Sequence, residues 1–112
     1  MELNWAEEMG AAITVCDSDG IILYMNEKSM VTFEKYGGKN LLGQSLLNCH
    51  PEPARSKLDD LLHDPKVNVY TIEKNGIKKM IYQAPWYSGG TYSGLVEISL
   101  PLPETIPHFI RK

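Results

Sequence analysis

The chain has 112 residues and a formal net charge of −3, enough for one domain with a single core and not for two. Its 43% hydrophobic and 22% charged residues give the balance of a globular protein, and the acidic excess argues against a nucleic-acid-binding surface. No apolar run approaches the ~20 residues that span a bilayer, and no basic start leads into an apolar signal core, so a cytoplasmic protein without membrane contact is expected.

Residues 2–10 are predicted to form a short helix, with Leu3, Trp5, Ala6 and Met9 on one side, Glu7 and Glu8 on the other, and Gly10 as its stop. Trp5 has little local cover on so short a helix. It must fold back on the rest of the chain or meet a second subunit. Residues 11–17, rich in Ile13, Thr14 and Val15, read as a strand. Asp17-Ser18-Asp19-Gly20 supplies turn chemistry, and residues 21–25 return as the second strand of a hairpin. Asn26 is the expected N-cap of a helix over residues 27–35, whose apolar members are Met30, Val31 and Phe33. Residues 36–40 break that helix, and residues 41–45 form at most one turn.

The stretch from Leu41 to Leu58 carries a turn at Gly43, apolar Leu46 and Leu47, and a polar Asn48-Cys49-His50 step. Pro51 and Pro53 fit the first turn of a helix, where a missing N–H costs nothing. Leu58, Leu61 and Leu62 are spaced i, i+3, i+4 as one buried stripe. The helix should run to about His63 and stop at Asp64-Pro65, because a residue before proline is pushed out of the α region.

Residues 67–73 alternate as a strand, Lys74-Asn75-Gly76 is a hairpin turn, and residues 77–87 form a long strand. There Met80 and Tyr82 oppose Lys79 and Ile81, and Pro85 implies an edge or a bulge. Ser88-Gly89-Gly90 turns the chain into a last strand over residues 91–100. Pro101, Pro103 and Pro107 then forbid regular structure in the tail, residues 101–112. The predicted class is α+β: a five-stranded antiparallel sheet with helices packed on one face.

Three of these pieces resemble the PAS domain family in order and spacing. Gly43-Gln44-Ser45-Leu46-Leu47 followed by Pro51-Glu52-Pro53-Ala54-Arg55 resembles the approach to its long central helix. The segment from Asp17 to Asn26 resembles its opening hairpin, and Gly94-Leu95-Val96-Glu97-Ile98-Ser99 its closing strand. The likeness covers residues 11–100, and the Cys49-His50-Pro51-Glu52-Pro53 variant is similar to a bacterial subgroup. It implies a sensor module of signal transduction that binds a small molecule or a signalling protein, with no output domain of its own. The pocket it implies lies between sheet and helices, with candidates Met30, Phe33, Leu46, His50, Leu58 and Leu62, and Tyr82 or Ile98 from the sheet. It also implies a homodimer through the first ten residues, with Leu3, Trp5 and Met9 as interface candidates. A PAS-fold dimerisation module without ligand is the alternative.

Cofactors are weighed against the same resemblance. Where some haem-binding PAS domains carry the iron-ligating histidine, this chain has Leu58, which cannot bind iron, while His63 belongs to the exposed helix end. Flavin-binding relatives use a cysteine within Asn-Cys-Arg-Phe-Leu-Gln. Here Asn48-Cys49 runs into His50-Pro51, so haem and flavin are both disfavoured. Cys49-His50 also lacks the ligand spacing of a zinc site, and no metal is expected.

Cys16 and Cys49 read as free, buried thiols. His50 is expected to satisfy backbone groups at the helix entry, or to contact a ligand. No nucleophile elbow, phosphate-binding glycine loop or H-E-x-x-H occurs, so no enzyme is expected. The alternative of another class is a small enzyme using Cys49 as nucleophile and His50 as acid–base. Against it, neighbouring residues on a chain usually point apart.

Overall fold

The computed structural model describes residues 4–112. One helical turn, α1 (Asn4–Glu7), leads into β1 (Ala12–Cys16), β2 (Ile22–Met25) and α2 (Glu27–Thr32). Three 3₁₀ turns (Glu34–Tyr36, Gly38–Leu41 and Leu46–Cys49) carry the chain to α3 (Ala54–His63). β3 (Asn68–Lys74), β4 (Ile77–Ser88) and β5 (Thr91–Pro101) follow as consecutive hairpins. All neighbouring strands pair antiparallel, in the order β2-β1-β5-β4-β3, so the last strand lies at the centre. This is the expected α+β arrangement.

Local chemistry accounts for most of the joints. Asp17 Oδ1 accepts from the backbone N–H groups of Asp19 and Ile21, both at 2.9 Å, which holds the β1–β2 turn. Asn75 and Gly76 have φ of 54° and 77°, the left-handed pair that a two-residue hairpin turn requires. Asn26 caps α2 through Oδ1, which accepts from Ser29 N at 2.9 Å. The stripe Leu58, Leu61 and Leu62 is buried against Cys16, Met25, Leu46 and Leu95. Each such leucine contributes roughly 1.5–3 kcal/mol over leaving it in water.

The ends of several elements differ from expectation. Helix α1 is a single turn within residues 4–112, and α2 tightens into 3₁₀ geometry after Thr32 instead of continuing to Lys35. Leu3 lies outside the described residues. The central helix begins at Ala54, so Pro51 precedes it and Pro53 occupies the N-cap position. Proline has no side-chain acceptor for the orphan N–H groups. Glu52 supplies one: its carboxylate takes Ser56 N at 2.7 Å and Ser56 Oγ at 2.6 Å. Pro85 pairs with Leu95 beyond the last β3 partner of β4, Gln83, and the ladder shifts register between Trp86 and Tyr87. The strand therefore tolerates proline where it is unflanked on one side and irregular.

Candidate functional site

Between the inner face of the sheet and the helical layer lies a half-open cleft of about 570 Å³, within the usual range for small-molecule sites. One wall is α2 with the turn after it: Lys28, Val31, Phe33, Lys35 and Tyr36. The other is the far half of the β3–β4 hairpin. There the pairs Ile72–Lys79 and Lys74–Ile77 share the inner face with Tyr70 and Ile81 by strand alternation.

The floor is polar and buried. His50, at the entry to α3, places Nε2 2.9 Å from Glu97 Oε2 and 3.2 Å from Oε1, across 47 residues of sequence. Its Nδ1 lies 2.9 Å from the carbonyl oxygen of Leu46. A carbonyl and a carboxylate can only accept, so both ring nitrogens donate and the ring is an imidazolium. Burial works against that charge, but the Glu97 carboxylate and the hydrogen bonds with Cys49 and Glu97 outweigh it, pushing the His50 pKa up to about 11. Burial would likewise raise the Glu97 carboxyl, yet the His50 charge and the bonds from His50 and Gln83 bring it below its ordinary value. Gln83 Nε2 donates to Glu97 Oε2 at 2.7 Å, and Gln83 Oε1 accepts from Asn68 Nδ2 at 2.9 Å. A polar chain thus crosses β3, β4 and β5 under the cleft. Phe33 packs a tilted ring against His50, with centroids 5.6 Å apart.

The residues expected at the pocket divide three ways. Phe33 and His50 line the cleft. Leu46, Leu58 and Leu62 belong to the core, and Met30 packs against it from the edge. Tyr82 and Ile98 face each other on the opposite side of the sheet. The register turns Ile81, Gln83, Glu97 and Ser99 inward instead, and leaves Tyr82 38% exposed. Leu58, where a haem ligand would fall, is fully buried among apolar groups.

The thiols are free and buried, as expected. Cys49 corrects one expectation: its Sγ comes within 3.5 Å of His50 Nδ1 despite adjacency in the chain. Both groups reach the same acceptor, the Leu46 carbonyl, at 3.2 Å from the sulfur and 2.9 Å from the nitrogen. An imidazolium whose two N–H groups are engaged has no lone pair to take a thiol proton. In this geometry His50 is therefore not placed to act as a general base toward Cys49.

Glu97 was not anticipated as the partner of His50. Alternation gives no signal for it, since Val96, Ile98 and Leu100 form the apolar phase and leave Glu97 on the side that reads as outward. Among the interface candidates, Trp5 is 65% exposed and Met9 is also exposed, while Ala6 is buried. Among the described residues no group of three His, Cys, Asp or Glu is placed to hold a metal ion, and no helix is long and apolar enough to cross a membrane.

No protein-family model and no curated protein sequence matches the chain. Solved structures do. The PAS domain of BvgS from Bordetella pertussis superimposes with a TM-score of 0.64 at 20% identity, covering 89% of this chain and 82% of that one. The PAS domain of histidine kinase ThkA gives 0.65 at 18% identity, covering 82% and 99%. A PAS domain from Colwellia psychrerythraea gives 0.62 at 15% identity, covering 89% and 92%. With the strand order, the hairpin ending in Asn26 and the helical layer over one sheet face, these likenesses identify the chain's architecture as a PAS-like fold.

Proposed function

We propose that the chain is a sensor module of signal transduction that binds a small molecule in the cleft between sheet and helices. The observation that carries this reading is the buried His50–Glu97 pair at the cleft floor. It ties the entry of α3 to the central strand, so a molecule resting on His50 bears on both layers at once. A ligand that favours one arrangement of helices on the sheet shifts the population toward it. The likeness to PAS domains, one of them from a histidine kinase, supports a signalling role.

The exposed Trp5 and Met9 support association of two copies through the amino-terminal turn, the route by which such a shift would leave the domain. Engagement of both His50 nitrogens weighs against the enzyme alternative.

Native mass spectrometry of freshly purified protein, paired with nitrogen NMR of the His50 ring during titration with a metabolite panel, tests the reading. An added mass, or movement of the His50 N–H signals on titration, is the expected result. Bare mass with His50 signals unmoved across the panel overturns it and leaves a ligand-free association module.

A further inference from the structure

We infer that the cleft is built for an amphipathic organic anion, an apolar body ending in a carboxylate or comparable acid group. The inference rests on the cleft being the ligand site and names the chemistry it selects.

Both walls carry the same mixture. On the helical wall Lys28 and Val31, one turn apart on α2, and Lys35 of the 3₁₀ turn that follows all line the cleft. On the sheet wall Ile72, Lys74, Ile77 and Lys79 occupy two facing cross-strand pairs of the inner surface. Four of the chain's 11 basic residues thus line one concavity, against one of its 14 acidic residues, Glu97. Glu97 is neutralised by the His50 imidazolium. Among the described residues none of the four lysines takes part in a salt bridge, and the three ion pairs formed lie elsewhere or beneath the floor.

Charge and apolar surface together restrict the occupant. Val31, Ile72 and Ile77 are exposed although apolar, and they want cover of their own kind. A purely apolar occupant would bring ammonium groups toward a dry surface with no counter-charge. An apolar cation would meet like charge on both walls. An apolar anion satisfies both sets of groups, in a concavity whose low-dielectric walls strengthen the attraction. An extended polyanion such as nucleic acid is opposed by the net charge of −3 over the whole chain.

Calorimetric titration of the full chain with octanoate, octanol and octylammonium tests this. Octanoate is expected to bind at least about tenfold more tightly than octanol, with octylammonium weakest and the difference narrowing as salt is added. Lys28→Met and Lys79→Met should each weaken octanoate by about tenfold, the worth of one charge-assisted hydrogen bond, and leave octanol unchanged. Lys39→Met, outside the cleft, should change neither. Equal affinity for octanoate and octanol overturns the anion preference and leaves the cleft as an apolar ligand site. Failure of all three probes to bind also overturns it, and the His50 titration above then decides separately whether the cleft takes any ligand.

Discussion

Gly94 lies so close to Cys16 that a Cβ built on it would stand 1.9 Å from the Cys16 carbonyl oxygen. A tryptophan on the neighbouring strand reaches the same point. Trp86 is the cross-strand partner of Gly94, and its indole N–H reaches the same Cys16 carbonyl at 2.9 Å. A side chain at position 94 would fill the space where β1, β4 and β5 come together. The φ of +147° at Gly94 excludes other residues independently. Gly94→Ala is therefore expected to cost more than about 4 kcal/mol in urea unfolding or to prevent folding. Gly20→Ala, where the nearest atom is the movable Leu62 Cδ1 at 2.9 Å, should cost distinctly less. Equal costs at the two positions would count against this account.

The His50–Glu97 pair predicts how stability depends on pH. His50 is raised from 6.5 to about 11 by the balance described above, so its contribution is fully present below 6.5 and fades as pH rises toward 11. Glu97 is lowered from 4.5, so its contribution is full above 4.5 and is lost as pH falls. The pair thus favours a stability maximum in the mildly acidic window between those values. Urea midpoints measured from pH 4 to pH 10 should show it, and His50→Leu/Glu97→Leu should flatten the alkaline side.

Breaking the pair from one side is expected to hurt more than removing both partners. Glu97→Gln leaves a buried ring without its counter-charge and should cost about 3–5 kcal/mol. The double replacement His50→Leu/Glu97→Leu should cost less than His50→Leu and Glu97→Leu added together, since no unpaired charge remains. A double-mutant cycle on chemical denaturation measures the difference, and strict additivity would refute the coupling.

The thiols should be silent in the native protein. Burial raises the Cys16 pKa to about 11, and both sulfurs are shielded from solvent. Iodoacetamide at pH 8 is expected to add nothing to the folded chain and two groups to the unfolded one, counted by intact mass. Rapid native labelling at Cys49 would revive the enzyme alternative.

Trp5→Ala should weaken self-association without lowering the unfolding free energy by more than about 0.5 kcal/mol, because the side chain is mostly exposed. Sedimentation velocity at several concentrations reads this directly. A profile unchanged by the substitution would remove the amino-terminal turn from the interface.

Much of the architecture was legible because its causes are local. The Asn75-Gly76 turn, the Asn26 cap and the Leu58–Leu61–Leu62 stripe each follow from a few adjacent residues. The cleft was less legible. Along β4 both phases of the alternation carry apolar groups, Ile77 and Ile81 on one side, Met80 and Tyr82 on the other, so periodicity alone does not choose the inward face. Glu97 and Gln83 made the true inner phase look like an outer one. Their burial is permitted by His50 and Asn68, partners that only the folded chain supplies. The four cleft lysines likewise become one group only when the helical wall with Lys28 and Lys35 is set opposite the β3–β4 hairpin with Lys74 and Lys79.

Asn26 does more than cap α2. Its amide nitrogen donates to the carbonyls of Ala6 and Ala11 at 2.8 Å each, while its oxygen also accepts from Ile13 N at 2.9 Å. One fully buried side chain therefore clamps α1, the start of β1 and the first turn of the helix that walls the cleft. Shifting that helix while leaving the amino-terminal turn behind would strand a buried amide, at a cost of about 1–3 kcal/mol. The two segments are thus geared together. Asn26→Ala would remove the direct bond between the Lys28–Val31 wall and the turn that carries Trp5.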